Sequence, residues 1–174
     1  EVAVSGLIAL AGETSGTVFA TNASTFTGTA AEFGDISTAG TLLKAIDTAD
    51  VVTSSAFALL IEIPGGQSTA ITAADLLALV PDLPGVTVDA SAYTVITGSD
   101  DEITSLGIAG VVTLNADFNT VISNASVDAA KIVSIFTANG TGSIDFVNVT
   151  GMTGVLSDLA SVAGNPDKTN FNHT

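Results

Sequence analysis

The sequence predicts an α/β fold: a repeat solenoid in which short strands build a parallel sheet with short helices beside it. Three observations predict it. First, apolar periodicity switches along the chain. Val86, Val88 and Ala90, like Val112, Leu114 and Ala116, alternate as in strands, whereas Leu76, Leu77 and Val80, like Ile132, Val133 and Phe136, recur as in helices. Second, strand starts recur at Gly16, Asp50, Gly85, Gly110 and Gly142, separated by 34, 35, 25 and 32 residues, the spacing of stacked supersecondary units. Third, Ala, Thr, Ser, Val and Gly dominate, and small and β-branched residues suit closely stacked strands. A strand, a crossover helix and another strand give parallel pairing, in practice right-handed. The competing architecture is a mainly-β sandwich, in which the helical assignments fail. Residues 1–164 read as a single array of about five imperfect strand–helix units, and 165–174 as a polar C-terminal tail.

Val2-Ala3-Val4-Ser5 reads as a strand fragment followed by an apolar turn, Leu7 to Leu10. Ser15 to Thr21 is a strand, Thr25 to Gly28 a second short one, and Thr29 to Phe33 a helix start. A helical piece, Thr41 to Ile46, leads to a strand at Asp50 to Ser54; the next strand, Phe57 to Ile63, is stopped by Pro64-Gly65-Gly66. Thr72 to Val80 is helical and runs into the most regular stretch, Gly85 to Ile103. That stretch holds an alternating run, a bend containing Tyr93, a second apolar run, a Thr-Gly stop and an acidic helix start. Gly110 to Ala116 is a strand, Asp128 to Phe136 a helix, Gly142 to Val147 a strand, and the last helix carries Leu156, Leu159 and Val162.

Helix starts share one chemistry. Thr29-Ala30-Ala31-Glu32 and Ser99-Asp100-Asp101-Glu102 place a hydroxyl three residues before a glutamate, the capping-box pattern, and Thr72-Ala73-Ala74-Asp75 is a shorter version. Each such cap contributes about 0.5–2 kcal/mol.

Bulk properties exclude several function classes. The 174 residues carry 18 acidic against three basic side chains, a formal net charge of −15. Phosphate-rich partners need Lys and Arg, so nucleic acid and anionic membrane surfaces are excluded as ligands. A mean hydropathy of +0.58 is too apolar for a disordered chain. The absence of cysteine removes disulfides, thiolate metal sites and cysteine nucleophiles. No apolar run approaches the length of a membrane span. The first residue, Glu1, suggests a processed chain or a piece of a longer one.

Ser15-Gly16-Thr17-Val18-Phe19-Ala20-Thr21, Thr25-Phe26-Thr27-Gly28-Thr29-Ala30-Ala31-Glu32, Val88-Asp89-Ala90-Ser91 and Thr97-Gly98-Ser99 resemble tandem repeats of very large secreted or surface proteins of marine cyanobacteria and other Gram-negative bacteria. The resemblance covers most of the chain. It implies an extracellular structural or adhesive role, of the kind found in surface layers and adhesins, often beside calcium-binding nonapeptide repeats. No Gly-Gly-x-Gly-x-Asp nonapeptide occurs here, so calcium is not carried over with it.

Asp100, Asp101 and Glu102 form the densest acidic cluster and are the candidate metal ligands, with calcium as the candidate ion because calcium takes several oxygens. A capped helix start explains the same three residues. Successive helical residues also point in different directions, so Asp75, Asp89 or Asp117 would have to converge on them. Asp89, Asn115 and Asp145 occupy comparable strand positions; they form either a ladder or the solvated face of alternating strands. His173, the sole histidine, has no partner for acid–base work. Sequons stand at Asn22, Asn124, Asn139, Asn148 and Asn172. No phosphate loop, dinucleotide fingerprint, nucleophile elbow or zinc spacing is present, and no catalytic or cofactor-binding residue is assigned.

The expected function is therefore that of a non-enzymatic, secreted structural protein that pairs with copies of itself in a surface layer or filament, helped by an uncapped first strand. The runner-up is an adhesin module that binds glycan through its loops. A polysaccharide-degrading enzyme is the third reading, disfavoured by 5% aromatic content and the lack of tryptophan.

Overall fold

A computed structural model describes residues 1–34, 40–63, 68–80, 85–109 and 112–171. In chain order it begins with β1 (Val2–Ala3), α1 (Val4–Glu13), β2 (Val18–Ala20), β3 (Thr25–Gly28), α2 (Ala30–Phe33), α3 (Leu42–Asp47), β4 (Val51–Thr53) and β5 (Phe57–Ile61). The middle comprises β6 (Ala70–Thr72), α4 (Ala73–Ala78), β7 (Val86–Asp89), β8 (Val95–Gly98), α5 (Asp100–Ala109) and β9 (Val112–Thr113). The last part is β10 (Asn119–Ile122), β11 (Ser126–Asp128), α6 (Ala129–Ala138), β12 (Ile144–Asp145), β13 (Gly151–Thr153), α7 (Leu156–Gly164) and β14 (Lys168–Thr169). The fold is mixed α/β. Among the described residues every strand pairing is parallel, and no sheet closes into a barrel. Among the described residues no helix is long and apolar enough to cross a membrane.

The chain divides into two compact units. The first comprises Glu1–Gln67, Ala78–Ala92 and Val111–Thr113. Its larger sheet has the order β1-β3-β5-β7-β9, and a smaller one pairs β2 with β4. Val2, Phe26, Leu59, Val88 and Val112 stand opposite one another across the larger sheet, and Phe26, Leu59 and Val88 are buried. Alternation is clearest in β5, where Phe57, Leu59 and Ile61 are buried and Ala58 and Leu60 only half so. The Phe26 and Phe57 rings meet edge to face at 5.2 Å. Helices α1, α2 and α3 pack on one another, burying Val4, Leu7, Phe33, Leu42 and Leu43.

The second unit comprises Ser68–Leu77, Tyr93–Gly110 and Leu114–Thr174. Its main sheet has the order β14-β12-β10-β8-β6, beside a separate β11-β13 pair. The row Ile71, Ile96, Thr120, Ile144, Lys168 advances by 25 residues and then by 24 at each step. Helices α5, α6 and α7 pack in sequence. Helices α5 and α6 each bury an i, i+3, i+6 stripe, Asp100, Ile103 and Leu106 in α5 and Ala129, Ile132 and Ile135 in α6, whereas α7 buries Val162, half-buries Leu159 and leaves Leu156 exposed.

Strand ends and helix starts are joined by one device. At Gly98 a Cβ would stand 2.8 Å from the Ala73 Cβ and 3.3 Å from Glu102 Oε2; at Gly28 it would stand 3.2 Å from the Val4 Cβ and 3.1 Å from Glu32 Oε2. Both strands end on glycine because the first residue of an earlier helix and the capping carboxylate already fill that space.

Several expectations are corrected. Val4 and Ser5 belong to a helix, since Val4 and Leu7 form a buried i, i+3 pair that a strand could not make. Within the described residues the strand expected at Gly110–Ala116 is β9, which ends at Thr113, and the one expected at Gly142–Val147 shortens to β12. Each is followed by a turn in which Asn115 or Asp145 accepts from the amide two residues on. The assigned strand starts mix three sheets, so their separations average over unlike steps, whereas within the second unit the step is 24–25 residues. Strands β6, β10, β11, β13 and β14 were not expected. The segment set apart as a tail supplies β14, which pairs with β12, and Phe171, whose ring packs on Phe146 at 5.3 Å. The stop at Pro64-Gly65-Gly66, the start at Gly110, and Asn172 and His173 lie outside the described residues.

Candidate functional site

Asp100, Asp101 and Glu102 open α5, and their carboxylates go three ways. Glu102 turns back. Its Oε2 accepts from the Ser99 amide at 2.8 Å and the Ser99 hydroxyl at 2.9 Å, while the Glu102 amide donates to Ser99 Oγ at 3.2 Å. This capping box is built as in α2, where the Thr29 amide donates to Glu32 Oε2 at 2.7 Å.

Asp100 is 3% exposed. Its Oδ1 accepts from Asn124 Nδ2 at 2.8 Å and from the Asp101 amide at 3.1 Å, and its Oδ2 accepts from the Asp128 amide at 2.8 Å. The Asp100 amide donates in return to Asn124 Oδ1 at 3.1 Å. Three donors, together with the positive end of α5, make a buried carboxylate tolerable without a cation. Asp101 reaches outward to Lys131 of α6, with 2.5 Å between Oδ1 and Nζ. The bond to Asp101 is the largest cause raising the Lys131 ammonium above its ordinary value, though both groups are solvated and such a pair contributes little to stability.

The other acidic candidates are held locally as well. Asp75 Oδ2 accepts from the Thr72 hydroxyl at 2.6 Å, and Asp89 Oδ1 from the Ser91 amide at 3.0 Å. Asp117 Oδ1 accepts from the Thr141 amide at 2.9 Å and hydroxyl at 2.8 Å; the amide bond is the main cause holding its carboxyl below the usual range. Among the described residues no three or more His, Asp or Glu side chains converge to hold a metal ion. The ladder of Asp89, Asn115 and Asp145 is not formed. Asp89 stands opposite Leu60 and Thr113 in one sheet, Asp145 opposite Val121 and Thr169 in another, and Asn115 lies beyond β9.

Other polar residues, not singled out in the sequence, do cross from one strand–helix step to the next. Asn119 Oδ1 accepts from the Ser143 amide and hydroxyl at 2.9 and 3.0 Å. The pairs Asp100–Asn124, Asp117–Thr141 and Asn119–Ser143 are each separated by 24 residues. The paired residues differ in type, so no repeat in the sequence marks them, and only the pairing of neighbouring strands brings them together.

Tyr93 is 7% exposed, and burial followed by the Asp75 charge raises its phenol above the ordinary value. Asn139 is 1% exposed, with Nδ2 donating to the Gly142 carbonyl at 2.6 Å, so this sequon is closed to modification in the folded chain. Asn124 is held by Asp100; Asn148 is exposed but its Nδ2 donates to the Ile122 carbonyl at 3.0 Å, and Asn22 is exposed. In the first unit a cleft of about 290 Å³ is lined by Ile8, Ala11, Gly12, Thr41, Lys44 and Ala45 among others. It offers no acid–base pair: Lys44 Nζ lies 3.1 Å from Asp47 Oδ2, and Asp50 Oδ2 accepts from Thr48.

Comparison with protein-family models, with curated proteins and with solved structures finds no match to this chain.

Proposed function

We propose that this protein is a non-enzymatic, extracellular structural element whose strand–helix modules stack as a repeat solenoid and whose copies self-assemble into a surface layer or filament. The observation that carries the reading is the strand order. Among the described residues every strand of the first unit's larger sheet is odd-numbered, every strand of the second unit's main sheet is even-numbered, and all pairings are parallel. Successive passes of one winding chain lay down strands in this way. Among the described residues the outermost strands of the two five-stranded sheets each have an unpaired side, an edge that can template pairing with another chain.

The non-enzymatic part is supported by the use of the polar groups. The carboxylates of α5 are engaged in capping and inter-helix bonds, and Lys44, Lys131 and Lys168 each have a partner within the fold. Electron microscopy of the native material tests the reading. Ordered polymers with a constant axial repeat are the expected result; monodisperse single particles at every concentration would refute it.

A further inference from the structure

The fold treats its sequons differently. Asn124, Asn139 and Asn148 each commit the side-chain nitrogen to a hydrogen bond: Asn124 Nδ2 donates to Asp100 Oδ1 at 2.8 Å, Asn139 Nδ2 to the Gly142 carbonyl at 2.6 Å and Asn148 Nδ2 to the Ile122 carbonyl at 3.0 Å. That nitrogen is the atom to which an N-linked sugar is attached. Asn22 is the exception. It stands in the turn between β2 and β3, closed by a 3.0 Å bond from the Ala23 amide to the Ala20 carbonyl. Both Asn22 and the sequon hydroxyl residue, Ser24, are exposed. Among the described residues the Asn22 side chain has no hydrogen-bond partner.

A second observation lies three residues earlier. Phe19, on β2, is 73% exposed, whereas every other aromatic side chain among the described residues is buried or half-buried. Strand β2 leads straight into the turn, and three residues of chain span at most about 11 Å, within reach of the first one or two sugars on Asn22. A sugar ring presents a face of C–H groups, for which an exposed aromatic ring is the complementary apolar surface.

We propose that Asn22 is an N-glycosylation site whose first N-acetylhexosamine stacks on Phe19. The donor is a lipid-diphosphate-linked oligosaccharide. Asn22 Nδ2 attacks the anomeric carbon, the N–C bond forms, the bond from that carbon to the diphosphate oxygen breaks, and the lipid diphosphate departs with the proton given up by the amide. Ser24 supplies the hydroxyl that the transferring enzyme reads. The inference rests on the extracellular part of the proposed function, because such enzymes act on exported chains, and it is independent of self-assembly.

The test uses the full chain secreted from a eukaryotic cell, which supplies both donor and transferase, beside the same chain made in a bacterium that lacks them. Peptide mapping by mass spectrometry should find the glycan on Asn22 of the folded, secreted chain and should lose it in Ser24→Ala. Calorimetry on parent and Phe19→Ala, each with and without the glycan, reads the stacking. The glycan should raise the melting midpoint of the parent by about 2–4 °C and that of Phe19→Ala by less than about half as much. An unmodified Asn22 would overturn the inference and leave the proposed function standing, and equal midpoint shifts would overturn the part given to Phe19. A chain confined to the cytoplasm of its source would remove the extracellular reading together with this one.

Discussion

Asp100 illustrates how a residue chosen for one chemistry can serve another. Its carboxylate attracts attention as a metal ligand, but three donors from Asn124, Asp101 and Asp128 surround it inside the protein. Removing it should therefore act on stability. Asp100→Ala leaves the Asn124 amide and the Asp128 N–H without their acceptor, a loss of about 2–3 kcal/mol. Urea unfolding measures this, and a midpoint unchanged from the parent would contradict the structural role. Thr120 presents the opposite case. It stands between Ile96 and Ile144, is 1% exposed, and its hydroxyl has no hydrogen-bond partner in the fold. Thr120→Val should raise stability by about 1 kcal/mol, because a desolvated hydroxyl is replaced by a methyl. A fall in the thermal midpoint would show that the hydroxyl is satisfied in solution.

At the scale of an element, the recurring motif is a strand ending on glycine followed directly by a capping box. Thr27-Gly28-Thr29 with Glu32, and Thr97-Gly98-Ser99 with Glu102, show why the order matters: the carboxylate folds back over the glycine while an earlier helix begins against it. Gly98→Ala forces its methyl against the Ala73 Cβ, at 2.8 Å, and overpacking of this kind costs about 1–3 kcal/mol. Differential scanning calorimetry should show a lower midpoint for Gly98→Ala and almost none of this effect for Gly107→Ala, where a Cβ meets nothing within 4 Å. Equal shifts at the two sites would mean that helix and strand propensity, not the close approach, decides.

For the whole molecule the dominant quantity is the formal net charge of −15. The proposed self-assembly has to overcome mutual repulsion between copies, and screening weakens it over a Debye length that falls from about 30 Å at 0.01 M to about 8 Å at 0.15 M salt. Self-association measured by light scattering should accordingly strengthen as sodium chloride rises through that range. A decrease with salt would indicate ion pairing between copies, for which three lysines provide little material.

Fold class was legible in the residues because it depends on local periodicity. The alternation of Val86 and Val88 persists in the folded chain, and Ile132, Val133 and Phe136 do lie on one helix, although its buried face runs through Ile132 and Ile135 with Val133 and Phe136 only half-buried. The capping boxes were legible for the same reason, being complete within four residues. Pairing was not. Which strands share a sheet, and that the row from Ile71 to Ile144 advances by 24–25 residues, depend on hydrogen bonds between segments far apart in the chain. Two-residue strands such as β12 and β14 carry too few side chains for an alternating pattern, so only their neighbours define them. The same holds for Asp100: four residues of sequence supply its charge and its cap, whereas its burial and its bonds to Asn124 and Asp128 come from a segment that only the tertiary structure brings beside it.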